Sequence, residues 1–290
     1  MSLIASFVMV LAACVAPAGA EEFLMSTNQS TINNPRAQSF GHNVTARSIV
    51  DIVASNDLDQ FDVVWINPNP TAADYNALRT GSANGGTLET YARTGGTLVL
   101  NVVGNQGNQA DIAPGGIDFN RSVIHDNETI AEPDHPYITG AGYGGAQLNE
   151  GMFVNWFNTD HGWLEDLVNG ATTVVKNVDG PTWVEYPWGG GTVIVTCMTY
   201  GWGINGARAE PLDNLIKYSA SVSGAVCNYL IKKSKPKGGC GACPPKGGNY
   251  ASNTPCEDVG ECAKKVKTVI SCPGGGNGTC KIKGKRTSCG

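Results

Sequence analysis

Short, mainly apolar runs alternate along the chain with stretches of helical spacing. Residues 61–66 form one such run, which stops at the breakers Asn-Pro-Asn-Pro of 67–70. Further runs cover 97–103 and 192–198. Apolar runs of this length, bounded by turn formers, are typical of buried strands. The pattern therefore predicts three central strands.

The segments between these runs have the 3.6-residue periodicity of helices. One helix is predicted at 46–54, and a second begins after Thr71, which can cap its N-terminus. A third is predicted at 87–93, where Gly95 would supply the C-terminal cap. A longer helix is predicted over 212–231.

Two weaker strand signals, at 174–175 and 182–185, predict a hairpin-like edge beside the central strands. Because strands and helices alternate elsewhere in 21–231, the sheet should be mostly parallel, with helices on both faces. That length is enough for one α/β domain with a full core. We therefore expect a three-layer α/β sandwich.

Charge and cysteine content change together near Lys232. Residues 1–231 have a net charge of −14, and residues 232–290 have a net charge of +9. Seven of the ten cysteines lie in the second stretch, which has few large apolar side chains. We interpret 232–239 as a basic linker and 240–290 as a tail that disulfides must hold in shape, because it cannot bury a core.

Residues 1–20 have the pattern of a cleaved signal peptide. The apolar run at 4–15 is too short to span a bilayer, and Ala18 and Ala20 fit a cleavage site. The residues before Cys14 also resemble a lipobox, which would instead place a lipid on that cysteine. A secreted or cell-surface location without a transmembrane segment is expected. Five Asn-x-Ser/Thr sequons would be glycan sites in a eukaryotic host.

Export implies that the cysteines pair as disulfides. Nine remain after residue 20, so one is free or bridges to another chain. Cys197 with Cys227 is a candidate bridge. The Cys-x-x-Cys formed by Cys240 and Cys243 lacks the second knuckle of a zinc ribbon, so disulfides are favoured over metal. The other tail cysteines are Cys256, Cys262, Cys272, Cys280 and Cys289.

Five segments follow one another in an order found in a known superfamily: 61–69, 91–100, 133–140, 179–182 and 189–196. Among them are Tyr-Ala-Arg-Thr-Gly-Gly-Thr-Leu-Val-Leu at 91–100 and Pro-Asp-His-Pro at 133–136. In these segments the chain resembles the class I glutamine amidotransferase-like superfamily, near its secreted, often non-catalytic ThuA-like branch. The resemblance covers about 45–231 and implies a flavodoxin-like fold. The tail has no counterpart in it.

The resemblance also shows what the chain lacks. Amidotransferases of this superfamily carry a cysteine nucleophile on the tight turn after the strand that matches 97–103, and a His and a Glu follow later. Here the turn at 102–108 contains neither Cys nor Ser. Cys197 falls in a predicted buried strand, where a thiol is usually inert. Because acyl transfer needs a nucleophile and a base in register, we assign no catalytic residue.

Three imidazole–carboxylate neighbours leave an alternative open. His125, His135 and His161 each adjoin an aspartate in sequence, and Asp160 precedes His161. Ligands of such folds gather beyond the carboxyl ends of the strands, which these segments could reach. A secreted hydrolase of carbohydrate-like substrates could use His135, His161 and Asp160 there, with or without a metal. The same sequences also form loops and caps, so no metal ligand is assigned.

Amides and aromatic residues are concentrated at the same predicted rim. The candidates for ligand contacts are Asn67, Asn69, Asn101, Asn105, Gln106, Tyr200 and Trp202. Amides beside aromatic rings suit neutral polar ligands such as sugars, although asparagine is also an ordinary turn former. The glycine-rich turn lacks the spacing of a phosphate loop, so no cofactor is expected.

Lysine clusters in the tail predict an anionic partner. Nucleic acid is disfavoured because the chain has an export pattern and Tyr250 is the tail's sole aromatic residue for base stacking. Anionic cell-surface or matrix polymers are favoured, and other copies of the acidic body remain open. The sequence thus predicts an exported, non-catalytic binding or matrix-associated structural protein, with the hydrolase as the alternative.

Overall fold

The structure is a computed structural model. It describes residues 20–28, 30–121, 124–154, 156, 159–200, 209–223, 226–237, 243, 246, 249–255, 265–272 and 276–289. The predicted signal peptide apart from Ala20, the lipid site Cys14, and the tail cysteines Cys240, Cys256 and Cys262 lie outside these residues.

Strands and helices alternate through the body, as predicted. The helices are Ser30–Ser39 (α1), Ile49–Ala54 (α2), Ala72–Ser82 (α3), Thr87–Thr94 (α4), Pro136–Thr139 (α5) and Ala209–Val222 (α6). The body strands are Glu22–Ser26 (β1), Asn43–Arg47 (β2), Val63–Ile66 (β3), Thr97–Asn101 (β4), Gln109–Ala113 (β5), Ile117–Asn120 (β6), Thr129–Ile130 (β7), Trp163–Glu165 (β8), Thr172–Lys176 (β9), Pro181–Trp188 (β10) and Gly191–Thr196 (β11). Four tail strands follow: Val226–Lys237 (β12), Asn249–Pro255 (β13), Lys265–Cys272 (β14) and Gly276–Cys289 (β15).

An eight-stranded sheet with the order β2-β1-β3-β4-β11-β10-β9-β7 forms the centre of the body. The first five strands are parallel, and β10, β9 and β7 continue the sheet in antiparallel fashion. The parallel half has the flavodoxin-like order 2-1-3-4-5. The predicted α/β sandwich with a mostly parallel sheet is confirmed, as is the antiparallel edge.

Each face of this sheet buries its own apolar cluster. On one face, Leu24 and Leu98 pack with Leu78 of α3 and with α2 and α4. On the other face, Phe23 and Trp65 pack with α1, α5 and α6. Adjacent residues of one strand thus point into opposite cores. This explains why the central strands are continuous apolar runs rather than alternating ones.

Local sequence signals set the ends of the body helices. Thr71 and Asp74 form a capping box at the start of α3, because the side chain of each accepts from the backbone N–H of the other. At the end of α4, Gly95 adopts φ 127°, a conformation that glycine accommodates. Both predicted caps are present.

Two predicted helices have different bounds in the structure. The pattern over 46–54 is split, because residues to Arg47 pair with β1 as edge strand β2 and only Ile49–Ala54 is helical. The predicted helix at 212–231 ends at Val222, and the chain then continues as β12. The apolar residues after Val222 belong to strand pairing, which helical periodicity alone does not reveal.

The tail forms a four-stranded antiparallel sheet with the order β13-β12-β15-β14. Residues 232–237 lie in β12, so this part of the expected 232–239 linker is a strand, and the expected boundary after Ile231 falls inside it. Three side chains of the tail strands, Ile231, Cys280 and Ile282, are buried. A disulfide joins Cys243 to Cys280, as predicted for this stretch.

Candidate functional site

The carboxyl ends of the parallel strands form one edge of the central sheet, where ligands of such folds gather. Asn67 follows β3, Asn101 ends β4 and Cys197 follows β11. All three side chains are fully buried. The surface of this edge is therefore made by the loops that follow the strands.

Asn67 is a structural amide. Its Nδ2 donates to the carbonyl oxygen of Ser26 at 2.6 Å and to Oδ1 of Asn34 at 3.1 Å, and its Oδ1 accepts from Asn33 at 2.7 Å. These bonds tie β1 and β3 to α1. They leave no polar group for a ligand at the surface, which corrects the expectation that Asn67 lies on an open rim.

Tyr200 is also buried, with its Oη 2.8 Å from Oη of Tyr137 and its ring packed edge-on against Trp156. It therefore offers no face on which a sugar could stack, contrary to expectation. Trp202 lies outside the described residues. Asn101 is buried, and neither polar atom of its side chain has a hydrogen-bond partner within the described chain. Neither Tyr200 nor Asn101 therefore supports the predicted polar–aromatic rim.

The turn after β4, residues 102–108, is the one at which the sequence resemblance predicted the position of a nucleophile. Arg121 fixes this turn: its Nε donates to the carbonyl oxygen of Gly104 and its Nη2 to Oδ1 of Asn105, both at 3.0 Å. The backbone N–H of Arg121 also donates to Oδ1 of Asn108 at 2.9 Å. The turn is thus held by charge-assisted hydrogen bonds and presents no nucleophile.

A small depression lies beside this turn. It is lined by Pro68, Asn69, Val103, Gly104, Asn105, His161 and Thr199. Its volume of about 20 Å³ is on the scale of one water molecule and does not admit a sugar ring. Asn69 has a left-handed backbone with φ 66°, and its N–H donates to the carbonyl oxygen of Val103 at 2.6 Å. Of the predicted contacts, Asn69 and Asn105 meet here, and Gln106 is exposed on the same turn.

His161 closes one side of the depression. Its Nδ1 lies 3.4 Å from the carbonyl oxygen of Gly104. Burial lowers the pKa of His161, and the positive charge of Arg121 lowers it further. The imidazole is therefore neutral at neutral pH. It faces a carbonyl oxygen, and no residue lining the depression is a Cys or Ser.

Glu128 and Asp160 form a buried carboxyl pair behind this edge. Oε2 of Glu128 accepts from Oγ1 of Thr182 at 2.7 Å, and Asp160 accepts from the backbone N–H of Gly162 at 2.9 Å. Burial raises the pKa of Glu128 well above its ordinary value, and a hydrogen bond with Asp160 and the charge of Asp160 raise it further. We infer that Glu128 is protonated at neutral pH.

His125 connects this pair to the surface. Its Nδ1 lies 3.2 Å from Oδ1 of Asp160, and its Nε2 lies 3.1 Å from Oδ2 of Asp179. The amide hydrogens of Asn177 reach Oδ2 of Asp160 at 2.9 Å and the carbonyl oxygen of Gly162 at 3.1 Å. The amide nitrogen of Asn177 also lies 3.1 Å from Nδ1 of His125. The ring is thus oriented by one carboxylate and faces a second.

The loop that carries Asp160 and His161 requires glycine at position 162. Gly162 has φ 150°, and a Cβ atom there would approach the carbonyl oxygen of Asn120 to 1.9 Å. The carbonyl oxygen of Gly162 is also 3.4 Å from Sγ of Cys197. Glycine therefore lets this loop pack tightly against both neighbours.

Cys197 is a buried free thiol. The predicted bridge from Cys197 to Cys227 is therefore wrong. Burial raises the pKa of Cys197 well above its ordinary value, and the charge of Asp160 raises it further. The thiol stays protonated and is a poor nucleophile, as its place after a buried strand indicates.

His135 belongs to the cap of α5. Its Nδ1 accepts from the backbone N–H of Tyr137 at 3.2 Å, and its ring packs edge-on against Trp183 and Tyr218. Its Nε2 lies 3.8 Å from a carboxylate oxygen of Glu185. Both ring nitrogens thus face groups of the fold. These contacts favour the structural turn over the catalytic role that was left open for His135.

No protein-family model matches the chain, and no curated protein matches its sequence. Among solved structures, a cytoplasmic protein from Salmonella typhimurium aligns with a TM-score of 0.45 at 11% identity, over 69% of this chain and 97% of that one. A ThuA-like protein from Bacteroides uniformis aligns with a TM-score of 0.37 at 11% identity, over 76% of this chain and 96% of that one. At these scores the fold assignment rests on the chain's own strand order.

Neither a metal centre nor a membrane span is formed by the residues that the structure describes. None of their His, Cys, Asp and Glu side chains form a group of three or more that could hold a metal ion. None of their helices is long and apolar enough to cross a membrane.

Three residues of this region were not anticipated from the sequence. The sequence only weakly indicated Arg121, which is one of eight basic residues in the acidic body. Asn177 and Glu128 gave none, because each lies in a segment whose partners are distant in sequence. Spatial contact alone reveals the network.

Proposed function

We propose that the chain is an exported, non-catalytic binding protein whose basic tail attaches it to an anionic cell-surface or matrix polymer. One observation carries the non-catalytic part. At the turn 102–108, where the amidotransferase pattern needs a nucleophile, Arg121 instead binds the Gly104 carbonyl oxygen and the Asn105 side chain. The groups that Arg121 binds are a backbone carbonyl oxygen and a side-chain amide, and neither is a nucleophile that could attack a substrate.

The thiol of Cys197, which directly follows β11, supports the same conclusion. Cys197 is fully buried, and burial raises its pKa well above its ordinary value. The thiolate is the reactive form of cysteine, so a protonated and enclosed thiol does not serve as a nucleophile.

The body's part in binding is proposed to be small. The depression of about 20 Å³ is below the size of a typical small-molecule site. Asn105 and Gln106 remain exposed amides that can add hydrogen bonds to a polar ligand. The main attachment is therefore assigned to the tail, whose charge of +9 complements an anionic polymer.

One observation favours the alternative, a secreted hydrolase. His125 lies between Asp160 and Asp179, and the side chain of Asp179 is 40% exposed. A carboxylate-oriented imidazole near the surface has the form of a general base. Under this alternative, His125 would activate a water molecule against a carbohydrate-like substrate.

Turnover assays separate the two proposals. The intact protein is tested on aryl glycoside, ester and amide substrates between pH 5 and 9, beside His125→Ala, Asp160→Asn and, as a control, His42→Ala. His42 binds the backbone N–H of Glu21, outside the carboxylate network. We expect no turnover above background in any of the four proteins.

Turnover that disappears in His125→Ala and Asp160→Asn but persists in His42→Ala would overturn the non-catalytic proposal. The attachment proposal is tested separately, by adding the intact protein to the producing organism's cell envelope or matrix over a salt series. Binding that salt reverses is expected, because exposed charges are screened.

A further inference from the structure

Exposed lysines repeat along β12 and β15 at every second position. On β12 they are Lys233, Lys235 and Lys237, and on β15 they are Lys281 and Lys283. Since alternate residues of a strand share a face, the lysines of each strand lie on one side, about 7 Å apart along it. We call this set the lysine ladder.

The pairing register brings the two rows together. Lys233 lies directly opposite Lys283, and Lys235 lies directly opposite Lys281, on strands about 5 Å apart. Residues directly opposite one another point to the same face. The two rows therefore form a single band of positive charge.

The register also continues the pattern across the sheet. Lys267 of β14 pairs with Lys283, and Lys265 pairs with Lys285, the next alternate position of β15. Lysine positions therefore adjoin one another on three neighbouring strands. The basic stretch is broad as well as long.

Within the described tail strands, this band has no counter-charge. The sequences of all four tail strands contain no Asp or Glu. A hydrogen bond with Lys237 and the charge of Lys237 lower the pKa of Lys281, although Lys281 is fully exposed. Like charges directly opposite one another destabilise a sheet, so an external anion would relieve a repulsion that the fold itself leaves in place.

On β15, the side chains that alternate with the ladder lysines are enclosed. Cys280 and Ile282 alternate with the ladder lysines of β15 and are buried. Cys280 also forms the disulfide with Cys243. The fold thus fixes which side of the sheet faces outward. A fixed row of charges suits a partner whose own charges repeat along a line.

We propose that the lysine ladder is a docking surface for a linear anionic polysaccharide, which lies along β12 and β15 with its carboxylate or sulfate groups against the two rows. This inference rests on the proposed attachment function and identifies its surface and partner. A single small anion would use only part of the band. A membrane surface is less well matched, because the described residues of the outward face include no large apolar side chain to insert.

The test compares two triple variants of the intact chain. Lys233, Lys235 and Lys281 are changed to Gln in the ladder variant, and Lys176, Lys217 and Lys246 are changed to Gln in the control. Both lose three charges, but the control removes them from the body and from outside the tail strands. The probes are a carboxylated linear polysaccharide, a sulfated one, linear polyphosphate and vesicles of anionic phospholipid.

We expect the ladder variant to lose about tenfold in affinity for the two polysaccharides, and the control to lose about twofold or less. The ladder side chains are exposed, and removing opposed like charges should not weaken the sheet. Unchanged amide exchange in β12 and β15 confirms that the ladder variant is folded.

Several results would overturn the inference. Equal losses in both variants would mean that net charge alone matters, which leaves attachment standing without the ladder. Tighter binding to vesicles or polyphosphate than to polysaccharide would reject the polysaccharide. Self-association that the ladder variant loses, without polymer binding, would identify a second copy as the partner. No binding by the unaltered chain to any probe would reject the attachment proposal itself.

Discussion

Glu128 and Asp160 place two neighbouring carboxyl groups inside the body. Burial is the main cause that raises the pKa of Glu128 above its ordinary value of 4.5, and the neighbouring Asp160 raises it further. Between that value and the raised folded-state pKa, the folded chain holds a proton that the unfolded chain has lost. The stabilising effect of this proton is therefore complete below about pH 4.5 and declines as the pH rises.

Replacing Glu128 by Gln should remove this decline, because the amide cannot ionise and can still accept from Thr182. We expect the urea midpoint of the unaltered protein to fall more steeply between pH 5 and 9 than that of Glu128→Gln. Glu165→Gln, an exposed carboxyl in the same body, serves as the control. Parallel curves for all three proteins would contradict a raised pKa.

A second prediction concerns the hydrogen bonds of Arg121 and its effect on the pKa of His161. Arg121→Ala removes two charge-assisted bonds to 104–105, a loss of about 1 to 3 kcal/mol at a partly exposed site. It also removes a charge that lowers the pKa of His161, so that pKa should rise. NMR titration of the imidazole measures this directly.

Arg121→Lys is the matched variant for that experiment. It keeps the positive charge but cannot form the two-pronged contact with the turn. The pKa of His161 should therefore move less in Arg121→Lys than in Arg121→Ala, while amide exchange in 104–108 should rise in both. A His161 pKa that falls in Arg121→Ala would contradict the placement of this charge.

Element by element, the central strands were the most predictable part of the fold. The runs at 61–66, 97–103 and 192–198 are buried on both faces, so their apolar composition directly reports their position. Edge strand β2 was missed because its residues are largely exposed and carry no such run. Pattern predicts burial more reliably than it predicts pairing.

The tail shows the limit of local reasoning most clearly. β12 pairs with β15, which is about 50 residues later in the chain, and no periodicity within either segment marks that partner. The network of Glu128, Asp160 and His125 escaped prediction for the same reason, since its members come from separate loops. Sequence adjacency pointed to His161 and Asp160 as a pair, whereas contact joins Asp160 to His125.

The disulfide between Cys243 and Cys280 leads to an element-scale prediction. It closes a sequence separation of 37 residues, which in the chain-entropy model stabilises the tail by up to about 4 kcal/mol. Changing both cysteines to Ala should expose the amides of β12, β14 and β15 to exchange and weaken polymer binding, with little change in the body strands. Cys197→Ala removes a thiol without removing a disulfide and should leave tail exchange unchanged.

If the double variant keeps its tail amides protected, the sheet holds without this bridge. The buried side chains of Ile231 and Ile282 would then be the larger source of tail stability. The measurement thus compares how much the disulfide and the buried side chains each contribute to the stability of the tail.

Across the whole molecule, charge is divided between an acidic body and a basic sheet. The two are continuous in sequence, because β12 begins at Val226 and reaches Lys237. Removing the tail at Lys233 would therefore cut a strand and expose its partner β15. Charge substitution within the intact chain is the sharper way to separate body from tail.

The division of charge also assigns different roles to the two parts. At the body's sheet edge, the described polar side chains are mostly engaged with one another, as for Asn67 and Asp160. The described tail strands instead present lysines and contain no Asp or Glu. This contrast is the physical basis for placing attachment on the tail.

The most direct test of this account is the affinity of the unaltered protein for a linear anionic polysaccharide across a salt series. Docking through five or more lysines releases counterions held by the polymer, so the logarithm of the binding constant should fall linearly with the logarithm of salt, with a slope on the order of −3. An affinity that stays constant over the series would place recognition on neutral contacts of the body and contradict the account.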